Sequence, residues 1–137
     1  MTNRTRLIAV LGVATVAAAL AFAPDTSAGI KEDFPVVVDL GGRTATGALG
    51  TARNSADWRQ VIGCSLQANA GVAHLSLMCE AMDAQGVAIQ CASNDASLVT
   101  ASLAISGDSQ VTFTWDRFRQ CTSLTVRNGS TLDPKRP

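Results

Sequence analysis

The stretch that decides the fold runs from Gln60 to Ala92 and reads QVIGCSLQANAGVAHLSLMCEAMDAQGVAIQCA. Within it, apolar and polar residues alternate in three runs, at residues 60–68, 73–83 and 86–92. Alternation with a period of two is typical of strands that bury one face. Turn-forming residues, Asn69-Ala70-Gly71 and Ala84-Gln85-Gly86, separate the runs. The stretch therefore predicts three consecutive antiparallel strands.

The three runs also predict how the strands are aligned. When Cys64 is set opposite Cys79, Leu66 falls opposite Leu77 and Ile62 opposite Ala81. When Cys79 is set opposite Cys91, Ala81 falls opposite Ile89. A slip of one residue would turn a whole apolar face to solvent, so this alignment is strongly favoured. We expect a three-stranded meander with one buried face.

Further strands are expected on both sides of this stretch, with one short helix. Strands are predicted at residues 34–40, 43–52, 110–116 and 121–127, and a helix capped by Ser93-Asn94-Asp95 is predicted at 96–105. Gly47 and Gly50 weaken the run 43–52, which favours a place at a sheet edge. Residues 53–57 form a polar turn, and residues 130–137 form a loose tail. The predicted fold is a small all-β antiparallel sandwich.

The N-terminus has the composition of an export signal. Arg4 and Arg6 precede an apolar run from Leu7 to Ala23, and Thr26-Ser27-Ala28 offers a small-residue cleavage site. We interpret residues 1–28 as a signal peptide and residues 29–137 as a single secreted domain. An uncleaved anchor is the alternative, although 17 apolar residues are short for a span of about 20.

Charge and composition exclude several classes of partner. The whole chain has a net charge of zero, and removal of two arginines and one aspartate with residues 1–28 leaves about −1. A near-neutral chain gives no electrostatic reason to expect nucleic acid, an anionic membrane or a polyanion as partner. We expect no nucleic-acid partner and no stable membrane insertion after cleavage, which leaves a protein or a glycan as partner.

The four cysteines predict two disulfides. Opposed strand residues have Cα atoms about 4.5–5.5 Å apart, which a disulfide accepts. Cys79 can therefore pair with Cys64 or with Cys91. We favour Cys64–Cys79 with Cys91–Cys121, and the alternative is Cys79–Cys91 with Cys64–Cys121. The sequence has no C-x-x-C pair of the kind that zinc sites and redox centres use, so we expect no metal and no cofactor.

No arrangement of residues predicts catalysis. Glu80 is an acid in the interior of a predicted strand, between Met78 and Met82 on the face opposite Cys79. Catalysis by paired carboxylates needs a second acid at a set distance. His74 is the only histidine, and the chain lacks a nucleophile elbow. We assign no catalytic residue and lean against an enzyme.

Aromatic and arginine residues outside the apolar faces are the best candidates for a binding surface. Trp58 and Arg59 precede one strand, and Phe118 and Arg119 follow another. Such residues stack on sugar rings or form protein hot spots. Trp115 shares a face with Val111 and is interpreted as core.

The segment Ala52-Arg53-Asn54-Ser55-Ala56-Asp57, followed by Ile62-Gly63-Cys64 and by Cys79, Cys91, Trp115 and Cys121, resembles a pattern in small secreted bacterial proteins of unassigned function. The resemblance covers about residues 44–128 and implies no activity or site residue. Three hypotheses follow. The first is a non-enzymatic binding or accessory module of the envelope or extracellular space. The second is a small enzyme inhibitor or hydrolase, and the third is a structural component that associates through the predicted edge strand 43–52.

Overall fold

The computed structural model describes residues 30–134 and shows two antiparallel sheets with two short helices. The predicted signal peptide and cleavage site lie outside the described residues. The elements in chain order are β1 (Val37–Asp39), β2 (Thr44–Ala48), α1 (Leu49–Asn54), β3 (Val61–Gln67), β4 (Ser76–Met82), β5 (Ala88–Ser93), α2 (Ala96–Ser102), β6 (Gln110–Trp115) and β7 (Cys121–Arg127). One sheet has the order β1-β2-β6-β7 and the other has the order β3-β4-β5. The prediction of an all-β antiparallel fold is confirmed.

The three-stranded sheet has the predicted register. Cys64 lies opposite Cys79 and Cys79 lies opposite Cys91, with Leu66 opposite Leu77. Burial alternates along β4 and β5, so that the face carrying Leu77 and the cysteines packs inward. The opposite face of this sheet points to solvent.

The prediction that residues 43–52 form an edge strand is wrong, because β2 pairs with β1 on one side and with β6 on the other. The small residues of β2 serve close packing. A Cβ on Gly47 would lie 3.0 Å from the Cα and Cγ2 atoms of Val36, which is buried. Since both edges of β2 are paired, self-association through this strand is also excluded.

A second helix, α1, occupies Leu49–Asn54, where a strand and a turn were predicted. Gly50 lets the C-terminal segment approach this helix, since a Cβ there would lie 2.0 Å from the carbonyl oxygen of Asp133. Arg53 donates a hydrogen bond to the carbonyl oxygen of Gly107 (2.8 Å). These contacts come from residues far away in the chain, so local propensity did not reveal them.

The described part of the C-terminal tail is held in place, contrary to the prediction of a loose segment from residue 130. Leu132 bridges Glu32 in parallel fashion and is buried. The Nδ2 group of Asn54 donates to the Asp133 carboxylate (3.1 Å) and to the carbonyl oxygen of Pro134 (3.0 Å). The tail therefore closes over α1 as far as residue 134.

Helix α2 ends earlier than predicted, at Ser102 instead of residue 105. The predicted cap is present at Asp95, whose carboxylate accepts hydrogen bonds from the backbone N–H groups of Ser97 and Leu98. A carboxylate that accepts these bonds at an N-cap stabilises the first turn. Hydrogen bonds from the side chain and backbone of Ser97, and from the backbone of Leu98, lower the pKa of Asp95.

The core lies between the sheets around Phe113, Leu77 and Val111, all fully buried. Trp115 contacts Phe113 and belongs to this core, as predicted.

The favoured disulfide pairing is the one observed: Cys64–Cys79 joins neighbouring strands, and Cys91–Cys121 joins β5 of one sheet to β7 of the other. The two disulfides fit an oxidising setting outside the cytoplasm. Among residues 30–134, neither helix is long and apolar enough to cross a membrane.

Candidate functional site

The solvent-facing side of the three-stranded sheet carries a concave surface of about 360 Å³. It spans all three strands and reaches the hairpin between β6 and β7. We call it the outer groove. Its lining residues are Val61, Glu80, Ala81, Met82, Ala88, Ile89, Gln90 and Arg119.

Strand register divides the outer groove into an apolar end and a polar centre. Val61, Met82 and Ala88 lie side by side in one cross-strand row. The next row places Gly63, Glu80 and Gln90 side by side. A Cβ on Gly63 would meet no atom within 4 Å, so this glycine leaves the sheet face open on the edge strand β3, beside Glu80. Apolar walls with a few convergent polar groups are typical of ligand sites.

Arg119 reaches the outer groove from the β6–β7 hairpin. The Oδ1 atom of Asp116 accepts hydrogen bonds from the backbone N–H groups of Phe118 (2.8 Å) and Gln120 (2.9 Å). The backbone N–H group of Ala92 in β5 donates to the carbonyl oxygen of Arg119 (3.1 Å). These bonds fix the hairpin against the edge of β5 and place Arg119 beside Gln90, where it also lines a smaller adjoining cavity of about 190 Å³.

The backbone of Arg119 has a conformation that favours glycine, with φ of 60°. The turn between β4 and β5 has the same hydrogen-bond pattern, with a glycine at the position of positive φ. There Asp83 accepts from the N–H groups of Gln85 and Val87, and the equivalent of Arg119 is Gly86, with φ of 84°. A non-glycine residue in the left-handed region costs about 1 kcal/mol. The hairpin thus keeps an arginine where a glycine would be more stable.

Trp58 and Arg59 lie on the loop before β3. Trp58 is 86% exposed, and its φ of 54° is also in the left-handed region. The Arg59 guanidinium lies 5.6 Å from the Trp58 ring centroid, and its Nη1 atom lies 3.9 Å from where a Cβ on Gly86 would be. The pair therefore stands at the end of the sheet where β3 begins and β4 turns into β5.

Asp57 holds this loop in its conformation. Its Oδ1 atom accepts from the backbone N–H groups of Arg59 (2.9 Å) and Gln60 (3.1 Å), and its Oδ2 atom accepts from the Gln60 side-chain amide (2.6 Å). The Gln60 side-chain hydrogen bond, together with the backbone bonds, lowers the pKa of Asp57. The other amide atom of Gln60 accepts from the backbone N–H group of Val36 (2.7 Å). The loop before β3 is thereby tied to the segment that leads into β1.

Phe118 is 67% exposed at the tip of the β6–β7 hairpin, and the Arg117 guanidinium lies 4.6 Å from its ring centroid. In the described part of the chain, the only aromatic rings in contact with each other are those of Phe113 and Trp115. Trp58 and Phe118 thus form two exposed stacks and not one joint patch. Of the four predicted binding residues, only Arg119 lines the outer groove.

Sequence reasoning missed most of the groove lining. Alternation identifies the buried face of each strand and says little about the opposite face, on which Val61, Met82, Ala88 and Gln90 lie. The available signal was that two methionines and a valine occupy positions that alternation assigns to solvent. Large apolar side chains grouped on an exposed face are typical of interaction sites.

The outer groove contains a single carboxylate among the described residues. Glu80 lies in the outer groove, and the other polar side chains that line it, Gln90 and Arg119, supply no second acid. His74 is exposed on the loop between β3 and β4. The described residues contain no group of three or more histidine, cysteine, aspartate or glutamate side chains suited to a metal ion.

A second concavity, of about 370 Å³, is polar and includes Asp33, Asp57 and Asp133. Much of its polar lining belongs to the bonds that hold α1, the loop before β3 and the tail together. Ser55, for example, donates to the carbonyl oxygen of Ala52 (2.7 Å). The resemblance to small secreted bacterial proteins depends partly on the segment 52–57. Ser55 and Asp57 in this segment have a structural role, because their side chains form hydrogen bonds within it and to the loop before β3.

The chain matches no protein-family model, no curated protein and no solved structure.

Proposed function

We propose that the protein is exported and acts as a non-enzymatic binding module of the cell envelope or extracellular space, with the outer groove as its binding surface. The observation that carries this proposal is the groove itself. It combines an apolar row with the charged side chains of Glu80 and Arg119, and Gly63 leaves the sheet face open beside Glu80. The two disulfides are consistent with export.

Backbone strain supports binding as the purpose of this surface. Three non-glycine residues in the described chain have positive φ: Arg43, Trp58 and Arg119. Trp58 stands at one end of the sheet and Arg119 at the groove. Residues held in sparsely populated conformations concentrate at functional sites, where geometry matters more than local stability.

Filling the groove tests the proposal. Gly63→Trp places a ring on the open sheet face without a steric clash at Cβ. Thr125→Trp adds the same ring to the exposed face of β7 in the other sheet and serves as the matched control. Each protein, exported by its native route, is incubated with purified envelope and extracellular fractions of the cells that produce it. Retention of the wild type and of Thr125→Trp, with loss of retention for Gly63→Trp, supports the groove as the site. Equal retention of all three rules it out.

The β6–β7 hairpin favours a second candidate function, that of an enzyme inhibitor. Its tip presents Arg117 and Phe118 to solvent on a turn held by Asp116. An exposed and rigid loop is the shape that a protease cleft accepts. A panel of secreted proteases with trypsin-like and chymotrypsin-like preference tests this function. Cleavage after Arg117 or Phe118 without inhibition would eliminate it.

A further inference from the structure

The backbone of β5 has an open edge beside the outer groove. In an antiparallel pair, the N–H and C=O groups of successive residues point alternately toward and away from the partner strand. The N–H group of Ala92 donates away from β4, to Arg119, while Val87 accepts from Asp83 on the β4 side. By the same alternation, Ala88 and Gln90 direct their backbone groups away from β4. Both residues are exposed.

The open edge is short because the β6–β7 hairpin covers the rest. Ala92 forms a parallel bridge with Gln120, and the disulfide from Cys91 to Cys121 holds the hairpin there. Beyond Ala92 the edge is open for Ala88 through Gln90. An extended chain placed on this edge would continue the sheet β3-β4-β5 as a fourth strand.

The side chains around the open edge indicate which side chains an added strand would need. Alternate residues of an added strand fall on the groove side, one beside Ala88 and the next beside Gln90. Ala88 belongs to the apolar row with Met82 and Val61, so an apolar side chain fits beside it. Gln90 lies next to Arg119, so an acidic side chain beside Gln90 would meet the guanidinium group. The nearby carboxylate of Asp116 already accepts hydrogen bonds from the backbone N–H groups of Phe118 and Gln120.

Charge at the ends of the groove favours the same occupant. Arg59 stands near the turn between β4 and β5 at one end, and Arg119 lines the groove beside Gln90, against the single acid Glu80 within the groove. The described residues near the C-terminus lead into Lys135 and Arg136, whose charge does not complement these arginines. A partner segment of opposite charge is therefore favoured over this chain's own tail.

We propose that the open edge of β5 binds an extended acidic segment of a partner protein by strand addition. The segment carries an apolar side chain and an acidic side chain two residues apart, the first on the apolar row and the second on Arg119. This inference rests on the proposed function and names the partner class for the same groove. Strand addition to an exposed edge draws affinity from main-chain hydrogen bonds and specificity from pockets for alternate side chains.

The test uses the exported protein and an array of eight-residue peptides with leucine and glutamate fixed two residues apart and random flanks. A control array has lysine in place of glutamate. For the tightest peptide, hydrogen exchange is measured for the backbone amides. We expect binding from the glutamate array only, and exchange at Ala88 and Gln90 slowed by about tenfold or more in the complex. Slowed exchange at these two amides is specific to strand addition.

Two variants separate binding from folding. Arg119→Gly relieves the left-handed strain and is expected to raise the urea midpoint while weakening peptide binding by about tenfold. Arg43→Gly makes the same change at a positive φ on the other sheet, and binding should be unchanged. Ala88→Pro removes an outward N–H group without removing a bond to β4, and it should abolish binding.

Each contrary outcome overturns the inference. Binding without slowed exchange at Ala88 and Gln90 would place the peptide elsewhere. Dimers of the protein that Ala88→Pro disrupts would identify a second copy as the occupant. If no peptide binds while Gly63→Trp still prevents retention by the envelope or extracellular fractions, strand addition is wrong and the proposed function stands with another ligand. If Gly63→Trp has no effect, the proposed function itself fails.

Discussion

Replacing Cys91 and Cys121 by alanine tests how the two sheets are held together. The disulfide closes a loop across a sequence separation of 30 and is the covalent link between β5 and β7. Loop-closure entropy assigns about 3.6 kcal/mol to a crosslink of this span and about 3.0 kcal/mol to one of 15, the separation of Cys64 and Cys79. Cys64 and Cys79 also lie on paired strands that stay adjacent without the bond. We therefore expect the larger loss from the Cys91–Cys121 pair.

The assay is equilibrium urea unfolding followed by far-ultraviolet circular dichroism, with pairing in each protein verified by mass spectrometry. For an m-value of about 1.5 kcal/mol per molar urea, loss of the inter-sheet disulfide lowers the midpoint by about 2.4 M. The matched control is the double alanine variant of Cys64 and Cys79. A loss below about 1 kcal/mol for the inter-sheet pair, or a larger loss for the control, would refute this account.

Three further predictions concern glycines, a buried amide and acid. Gly63→Val should raise the free energy of unfolding by about 0.5–1 kcal/mol, because a Cβ at this strand position would meet no other atom within 4 Å. Gly50→Ala should lower the free energy of unfolding, because the added methyl group clashes with the carbonyl oxygen of Asp133. Urea unfolding of both variants checks these two predictions. Gln60→Ala leaves a buried backbone N–H group without its acceptor and should cost about 1–3 kcal/mol in the same assay. The folded-state pKa values of Asp57 and Asp95 lie below the usual 3.8, so both carboxylates stabilise the fold above that pH and lose this effect as pH falls through the lowered values. The melting temperature should therefore fall steeply between pH 5 and 2, and Asp57→Asn and Asp95→Asn should each make this fall less steep. An unchanged pH profile in either variant would contradict the prediction.

The sequence was sufficient for the parts of the fold in which local pattern and burial coincide. In β3, β4 and β5 every apolar face has period two, and a single register aligns all three faces. The same register limited the partner of Cys79 to Cys64 or Cys91, because it places Cys79 opposite both, and the favoured pairing is the one observed. Strand alternation specifies register whenever one face must be buried.

The parts that sequence reasoning missed depend on contacts between distant residues. α1 forms where Gly50 meets the carbonyl group of Asp133 and where Asn54 bonds to the tail. β2 is an interior strand that pairs with β1 and β6, and the small Gly47 in it lets Val36 pack closely against it. Small residues are compatible with an edge strand and with an interior strand, so the composition of the run 43–52 did not distinguish these two positions in the sheet.

The same disulfide that joins the sheets also shapes the candidate site. Cys121 holds the start of β7 against β5, which lets Ala92 bond to Arg119 and brings the arginine beside Gln90. Without the disulfide, the hairpin is held at the edge of β5 less firmly, and we expect Arg119 to leave its place in the groove more easily. Since the bond forms in an oxidising setting, the proposed site is complete only in such a setting. If the proposed function holds, one covalent link couples binding at the groove to the redox state of the surroundings.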